Sequence, residues 1–266
     1  LIEHEWIFKF LSGFNGYDSK YTAGTHYLCK GLNYDEIMIV LASEPETVSI
    51  TFPEGFTTKQ IAERLEANGV VDAYDFLIAV NNLDLTSYSF ITEYDEERDY
   101  RLEGYLFPDT YEFDIESDIE NVIYKMLNRF SDMYLPEYYT RADELGLTMD
   151  QVVTIASMVE REAKLARERK TIAGVYINRI KSADFKYLQC DATVQYIYRN
   201  MNDTTADTVT SEMLQIDNPY NTYLYEGLPP GPICNPSISS IEAVLYYEEH
   251  NYYYYVVSAE NTKAHV

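Results

Sequence analysis

Histidine, cysteine and basic side chains are all scarce in this chain, and each scarcity removes a class of chemistry. Four His stand at positions 4, 26, 250 and 265, with no pair at the spacing of a helical zinc site. Cys29, Cys190 and Cys234 are odd in number and far apart, without a C-x-x-C pair, so neither a disulfide framework nor a zinc ribbon is expected. Twenty Lys and Arg face 44 Asp and Glu, a formal charge of −24. Phosphate backbones and anionic lipid surfaces are held by basic side chains, so neither nucleic acid nor a charged membrane surface is an expected partner. No window approaches the roughly 18 uncharged apolar residues of a membrane span. The aromatic-rich stretch 1–14 is interrupted by Glu3, Glu5 and Lys9 and reads as neither a signal peptide nor a transmembrane helix. The chain does not begin with Met and is expected to be a fragment or a mature form.

What is abundant is tyrosine, 27 residues of it, within 266 residues that are 46% hydrophobic. That is the composition of one or two folded domains, and tyrosine serves both as core and as a platform for sugar rings. A weak repeat with an offset of 24 residues relates Gly31–Ile37 and Leu41 to Gly55–Ile61 and Leu65. In each copy a Gly ends an extended stretch, a polar residue caps a helix, and Ile and Leu share one helical face. Val48–Phe52 alternates like a half-buried strand, Asn68-Gly69 stops the second helix, and Tyr74–Val80 begins another. Residues 20–90 therefore read as two short helices on a small sheet. The polar run from Thr86 to Arg101, with Glu93, Asp95, Glu96, Glu97 and Asp99, reads as a hinge. The expected division is a small module over 1–98 and a larger mixed domain over 99–266.

In the second part a helix is expected over about 119–135, ended by Pro136. Thr148 and Gln151 have capping-box spacing, followed by an apolar stripe of Val152, Ile155, Ala156, Val159 and Ala163. A further helix is expected over about 167–180, loops and short strands after Lys181 with 188–194 among them, a helix over 239–248, and a strand over 252–258. Three Pro and two Gly in 227–233 make a rigid connection.

Glu160 and Glu162 flank opposite edges of the central helix's stripe, about 80° to either side. A carboxyl at an apolar margin loses hydration, which favours the neutral form a general acid needs, and Glu160 has Val153, Ala156 and Ser157 on its face. The alternative is a solvated helix charge paired with Arg161, Lys164 or Arg167. The Gln189 amide suits sugar hydroxyls or acetamido groups. Asp191 would orient a partner or cap a turn, and Asn221 offers an amide beside the aromatic platform of Tyr223 or, alternatively, stabilises its own loop. No G-x-S-x-G, dinucleotide or phosphate-loop motif is present. Carboxylate and amide chemistry on a neutral polymer remains, with no metal and no cofactor.

Six segments occur in one order: Leu102–Tyr111, Ile155–Glu162, Val175–Arg179, Leu188–Val194, Tyr220–Tyr223 and Gly227–Pro236. Together they resemble the endolytic murein transglycosylases of the YceG-like family, from about residue 20 onward. The resemblance implies an α+β protein: a small LysM-like N-terminal module, then a mixed α/β catalytic domain with short strands and a central catalytic helix. It implies a lyase that cuts the β-1,4 bond between N-acetylmuramic acid and N-acetylglucosamine inside peptidoglycan strands, without water, leaving 1,6-anhydro ends and terminating nascent strands. Glu160 is then expected to be the single acid and base. Gln189, Asp191, Asn221, Tyr223 and Glu162 are expected to bind substrate. Glu160 and Glu162 diverge on their helix and make a poor carboxylate pair, so Glu162 is also expected to orient Arg179 or Asn178. The implied partners are glycan strands and the cell-wall synthases (penicillin-binding proteins), outside the bacterial cell membrane, with membrane attachment only through an anchor absent from this chain. Two positions depart from the family pattern: Ala192 stands where many members have Pro, and Cys190 where a small hydroxyl residue is usual. The alternatives are a glycan-binding protein without activity and a water-using muramidase, which leaves reducing ends.

Overall fold

A computed structural model describes residues 2–91, 96–204, 206, 208–257 and 264–265. Of the segments read above, Glu93 and Asp95 of the hinge and Ser258 of the last strand lie outside the described residues. The chain runs α1 (Glu5–Phe14), α2 (Tyr34–Leu41), β1 (Thr47–Thr51), α3 (Thr58–Ala67), α4 (Ala73–Asn82), β2 (Thr110–Asp114), α5 (Ile119–Met133), α6 (Pro136–Leu145), α7 (Met149–Glu162), α8 (Arg169–Lys181), α9 (Asp191–Asn202), α10 (Ile238–Leu245), β3 (Val256–Val257) and β4 (Ala264–His265). Among the described residues no helix is long and apolar enough to cross a membrane.

The 24-residue repeat is a repeat of helix starts. Asn33 with Glu36 and Thr57 with Gln60 form complete capping boxes at the heads of α2 and α3. Gly31 and Gly55, two residues before each cap, both take positive φ, a conformation that a Cβ disfavours. Only the second copy follows a strand. That strand, β1, pairs antiparallel with β2, with Ile50 opposite Tyr111 and Val48 opposite Phe113. So β1, α3, α4 and β2 make two helices on a two-stranded sheet, and the sheet closes at Asp114, beyond the boundary expected near residue 98. The hinge is also pinned: Arg98 donates through Nε to Pro230 O at 2.8 Å and pairs with Asp150 in the first turn of α7. One continuous apolar cluster runs from Ile50 to Leu245.

Around α7 the packing differs from an amphipathic stripe. Every residue from Val152 to Val159 is buried, because α6, α8, α9 and α10 surround the helix. A helix covered on all sides needs no polar face. Pro136 does not end α5, which stops at Met133; it starts α6, where its fixed φ and missing N–H cost nothing. The segment after Gln189 is a helix rather than a strand. Its β-branched Thr193, Val194 and Ile197 resemble a strand in sequence, but with Ala192 and Tyr196 they form the buried side of α9. Among the described residues of the expected last strand, Val256–Val257 pair in a ladder and 252–255 do not. The carbonyls of Tyr252 and Tyr253 accept instead from Asn178 at 2.9 Å and Arg179 at 2.9 Å.

Candidate active site

Helix geometry sends residues 160, 161 and 162 out of the end of α7 in three directions, about 100° apart. Glu162 points into a cavity of about 330 Å³. Its walls are Val175, Tyr176 and Arg179 of α8, Leu188, Gln189 and Asp191 at the head of α9, and Tyr223, Tyr254 and Tyr255. Glu162 Oε1 accepts from Ala192 N at 3.2 Å and Cys190 Sγ at 3.4 Å. Burial pushes the Glu162 carboxyl above the usual carboxylate range, and nearby Asp191 acts in the same direction; the Ala192 N–H and the Cys190 and Tyr255 side chains oppose it.

The other walls are held as firmly. Asp191 Oδ1 accepts from the Tyr223 hydroxyl at 2.5 Å, and burial together with that carboxylate raises the Tyr223 hydroxyl, which stays a neutral donor. Gln189 has φ 52°, a left-handed backbone that a side chain tolerates at a cost of about 1–2 kcal/mol. Its N–H donates to Thr222 O at 3.0 Å, and its Oε1 accepts from Arg179 Nη2 at 2.7 Å. Arg179, 5% exposed, spends its other donors on the carbonyls of Tyr187 and Tyr253. Strain at a cavity wall is the kind that persists only where the surroundings over-determine it.

Four of the six residues singled out from sequence thus meet in one cavity: Glu162, Gln189, Asp191 and Tyr223. Asn221 does not join them. It is fully buried, donates to Leu214 O at 3.2 Å and Ile216 O at 2.8 Å, and accepts from Tyr223 N at 3.1 Å. It shapes the loop behind Tyr223. Nor does Glu162 orient Arg179 or Asn178, which are both satisfied by backbone carbonyls and, for Arg179, by Gln189.

Glu160 faces away from this cavity. Its Oε1 accepts from Arg169 at 2.9 Å, and its Oε2 from Ser237 N at 3.0 Å, Ser237 Oγ at 2.5 Å and Ser240 Oγ at 2.7 Å. The side chain is 7% exposed. The apolar margin expected for it is instead a ring of donors, because Ser237 is the N-cap of α10 and presents the start of that helix. Glu54, on the loop after β1, lies 3.9 Å from the same Arg169; its carboxyl is raised by burial and by Glu160, and Arg169 opposes.

Sequence reading missed Arg179, Tyr176, Tyr254 and Tyr255 as walls. The signal was available in the density of tyrosines after residue 251, read there as a strand. Cys190 and Ala192, noted in the sequence as departures from a family pattern, both donate to Glu162.

The YceG-like family model matches residues 1–266. The chain belongs to the YceG-like family. Its curated relatives include the endolytic murein transglycosylase of Streptococcus pneumoniae serotype 2 (strain D39 / NCTC 7466), 31% identical over 297 residues covering 100% of this chain and 53% of that protein. Another is the endolytic murein transglycosylase of Bacillus subtilis (strain 168), 32% identical over 257 residues, 92% of this chain and 69% of that protein. The chain spans about half the length of the S. pneumoniae relatives. A crystal structure of a yceG-like protein from Listeria monocytogenes superposes with TM-score 0.71 at 30% identity, over 96% of this chain and 85% of that one. This YceG-like chain thus shares both sequence and fold with that group.

Proposed function

We propose that this YceG-like chain is a lytic transglycosylase acting on peptidoglycan strands, and that Glu162, not Glu160, is its acid and base. The observation that carries the assignment is the shared cavity: Glu162 opens onto the space bounded by Gln189, Asp191 and Tyr223, whereas the Glu160 carboxylate is consumed by Arg169, Ser237 and Ser240. A buried carboxyl with a raised pKa holds a proton that it can deliver to the glycosidic oxygen. The C1–O bond then breaks as that oxygen takes the proton. The ionised Glu162 is met by the Ala192 N–H at the positive end of α9. It next accepts the proton of the muramyl C6 hydroxyl, whose oxygen closes on C1 to give the 1,6-anhydro ring, and Glu162 is neutral again. Closure within one sugar replaces attack by a separate water molecule. Asp191, its oxygen fixed by Tyr223, supplies negative charge to the oxocarbenium-like transition state. Gln189 and the tyrosines hold the flanking sugars.

One observation favours a second reading. Two carboxyls, Glu162 and Asp191, share the cavity, and that is the equipment of a water-using muramidase. The products decide between them. Mass spectrometry of peptidoglycan digested by the protein should find 1,6-anhydro ends. Glu162→Gln should abolish them and Glu160→Gln should retain them; reducing ends, or the reverse pattern in the two variants, would overturn the reading.

β1, α3, α4 and β2 are the segment we assign to the LysM-like module, since two short helices on a small sheet is the form expected of it. The functional division then falls near Asp114. A cut inside a strand ends its growth, so the synthases that extend strands are the protein partners this reading implies, on the outer side of the cell membrane.

A further inference from the structure

A second cavity, of about 390 Å³, is lined by Arg161 and Ala192, the chain neighbours of Glu162 and Asp191 in the first cavity, and has no part in the mechanism above. Thr57, Gln60, Arg161, Gln195 and Arg199 line it, with Ala192, whose N–H reaches Glu162. Arg161 and Glu162 are consecutive, so one turn end of α7 serves both spaces. The cavity is basic in a chain of charge −24. Among the described residues Arg161 has no ion-pair partner. Arg199 reaches Glu63 at 3.1 Å through Nη2, but its Nε is buried with no hydrogen-bond partner. Gln60 uses its side-chain oxygen on Thr57 N at 2.9 Å, which leaves its NH₂ as a further donor. The buried Arg199 Nε lacks an acceptor, which is costly, and Arg161 is exposed on the cavity wall, so an incoming carboxylate would meet donors that the chain itself leaves free.

Resting on the proposed activity, we infer that this cavity binds a carboxylate of the stem peptide carried by the muramyl residue next to the scissile bond. The peptide branches from the sugar that must sit against Glu162, and the cavity wall holds both the residue before that glutamate, Arg161, and its hydrogen-bond donor, Ala192. Arg161 gives the branch a charged anchor, so strands are recognised by their peptides as well as by their sugars.

Calorimetric titration of the full chain with muramyl pentapeptide, with the same compound carrying amidated carboxyls, and with N-acetylmuramic acid tests this without turnover. Arg161→Gln should weaken muramyl pentapeptide binding about tenfold, the size of one charge-assisted hydrogen bond. It should bind the amidated compound and N-acetylmuramic acid as the parent chain does, and Arg161→Lys should recover part of the loss. Equal binding of the pentapeptide by parent and variant, or an equal loss on the amidated compound, would overturn the inference. The same loss on N-acetylmuramic acid would assign the site to the lactyl carboxylate and overturn the stem-peptide assignment. Failure of the proposed activity is read separately, as the absence of anhydro ends.

Discussion

Glu160 and Glu162 are two positions apart on one helix, and their carboxyls live in opposite chemistry. Glu160 closes the N-terminus of α10 onto α7 and α8, so Glu160→Gln should lower stability by about 1–3 kcal/mol, because Arg169 loses its buried partner. A chemical denaturation curve measures that loss. Glu162→Gln should leave the curve nearly unchanged while removing activity. Glu103 is a third buried carboxyl, fully enclosed, accepting from Thr58 N at 2.9 and 3.1 Å and Asn235 Nδ2 at 3.2 Å. Burial pushes it up from 4.5 to about 8. Below 4.5 it is protonated in both folded and unfolded chains; between 4.5 and about 8 the unfolded chain ionises while the folded one does not. Its contribution to stability is therefore full in acid and declines as pH rises through that window, by an amount on the order of a few kcal/mol. In Glu103→Gln this part of the slope should vanish when melting temperature is followed against pH; an unchanged slope would refute the assignment.

At the scale of elements, the head of α9 decides how Glu162 behaves. Ala192 is the second residue of that helix, a position where proline is tolerated because the helix makes no use of its N–H. Here the N–H is used, by Glu162. Ala192→Pro should keep the fold and remove one donor from the ionised carboxyl. The Glu162 pKa should rise further, because the Ala192 N–H opposes the effect of burial by favouring the ionised carboxylate. The pH–rate profile should then shift to higher pH, whereas a merely structural alanine would leave it in place. The capping box of α7 and the polar caps of α2 and α3 were readable in sequence because capping is local chemistry. The helix α9 was not, since its β-branched residues are compatible with either state until a core is supplied for one face.

For the molecule as a whole, the β1–β2 pair ties the first hundred residues to the motif that follows them. A piece covering 99–266 lacks β1, α3 and α4, and exposes Tyr111 and Phe113, each worth about 1.5–3 kcal/mol of burial. Such a piece should melt well below the full chain, or without cooperativity, in a circular-dichroism melt. An equal melting temperature would show that the core is divisible near residue 98.

Amino-acid order alone determined the capped helices, the rigid Pro-Gly connection and the set of candidate residues at 160, 162, 189, 191 and 223, because each follows from neighbours a few positions away. Which of the two glutamates faces sugar-sized space was decided only by packing. Two residues along a helix are about 200° apart, and a sequence does not say which side a distant segment will cover. Ser237 and Arg169 cover one side, Gln189 and Tyr223 wall the other, and those placements come from contacts between residues up to 77 positions apart.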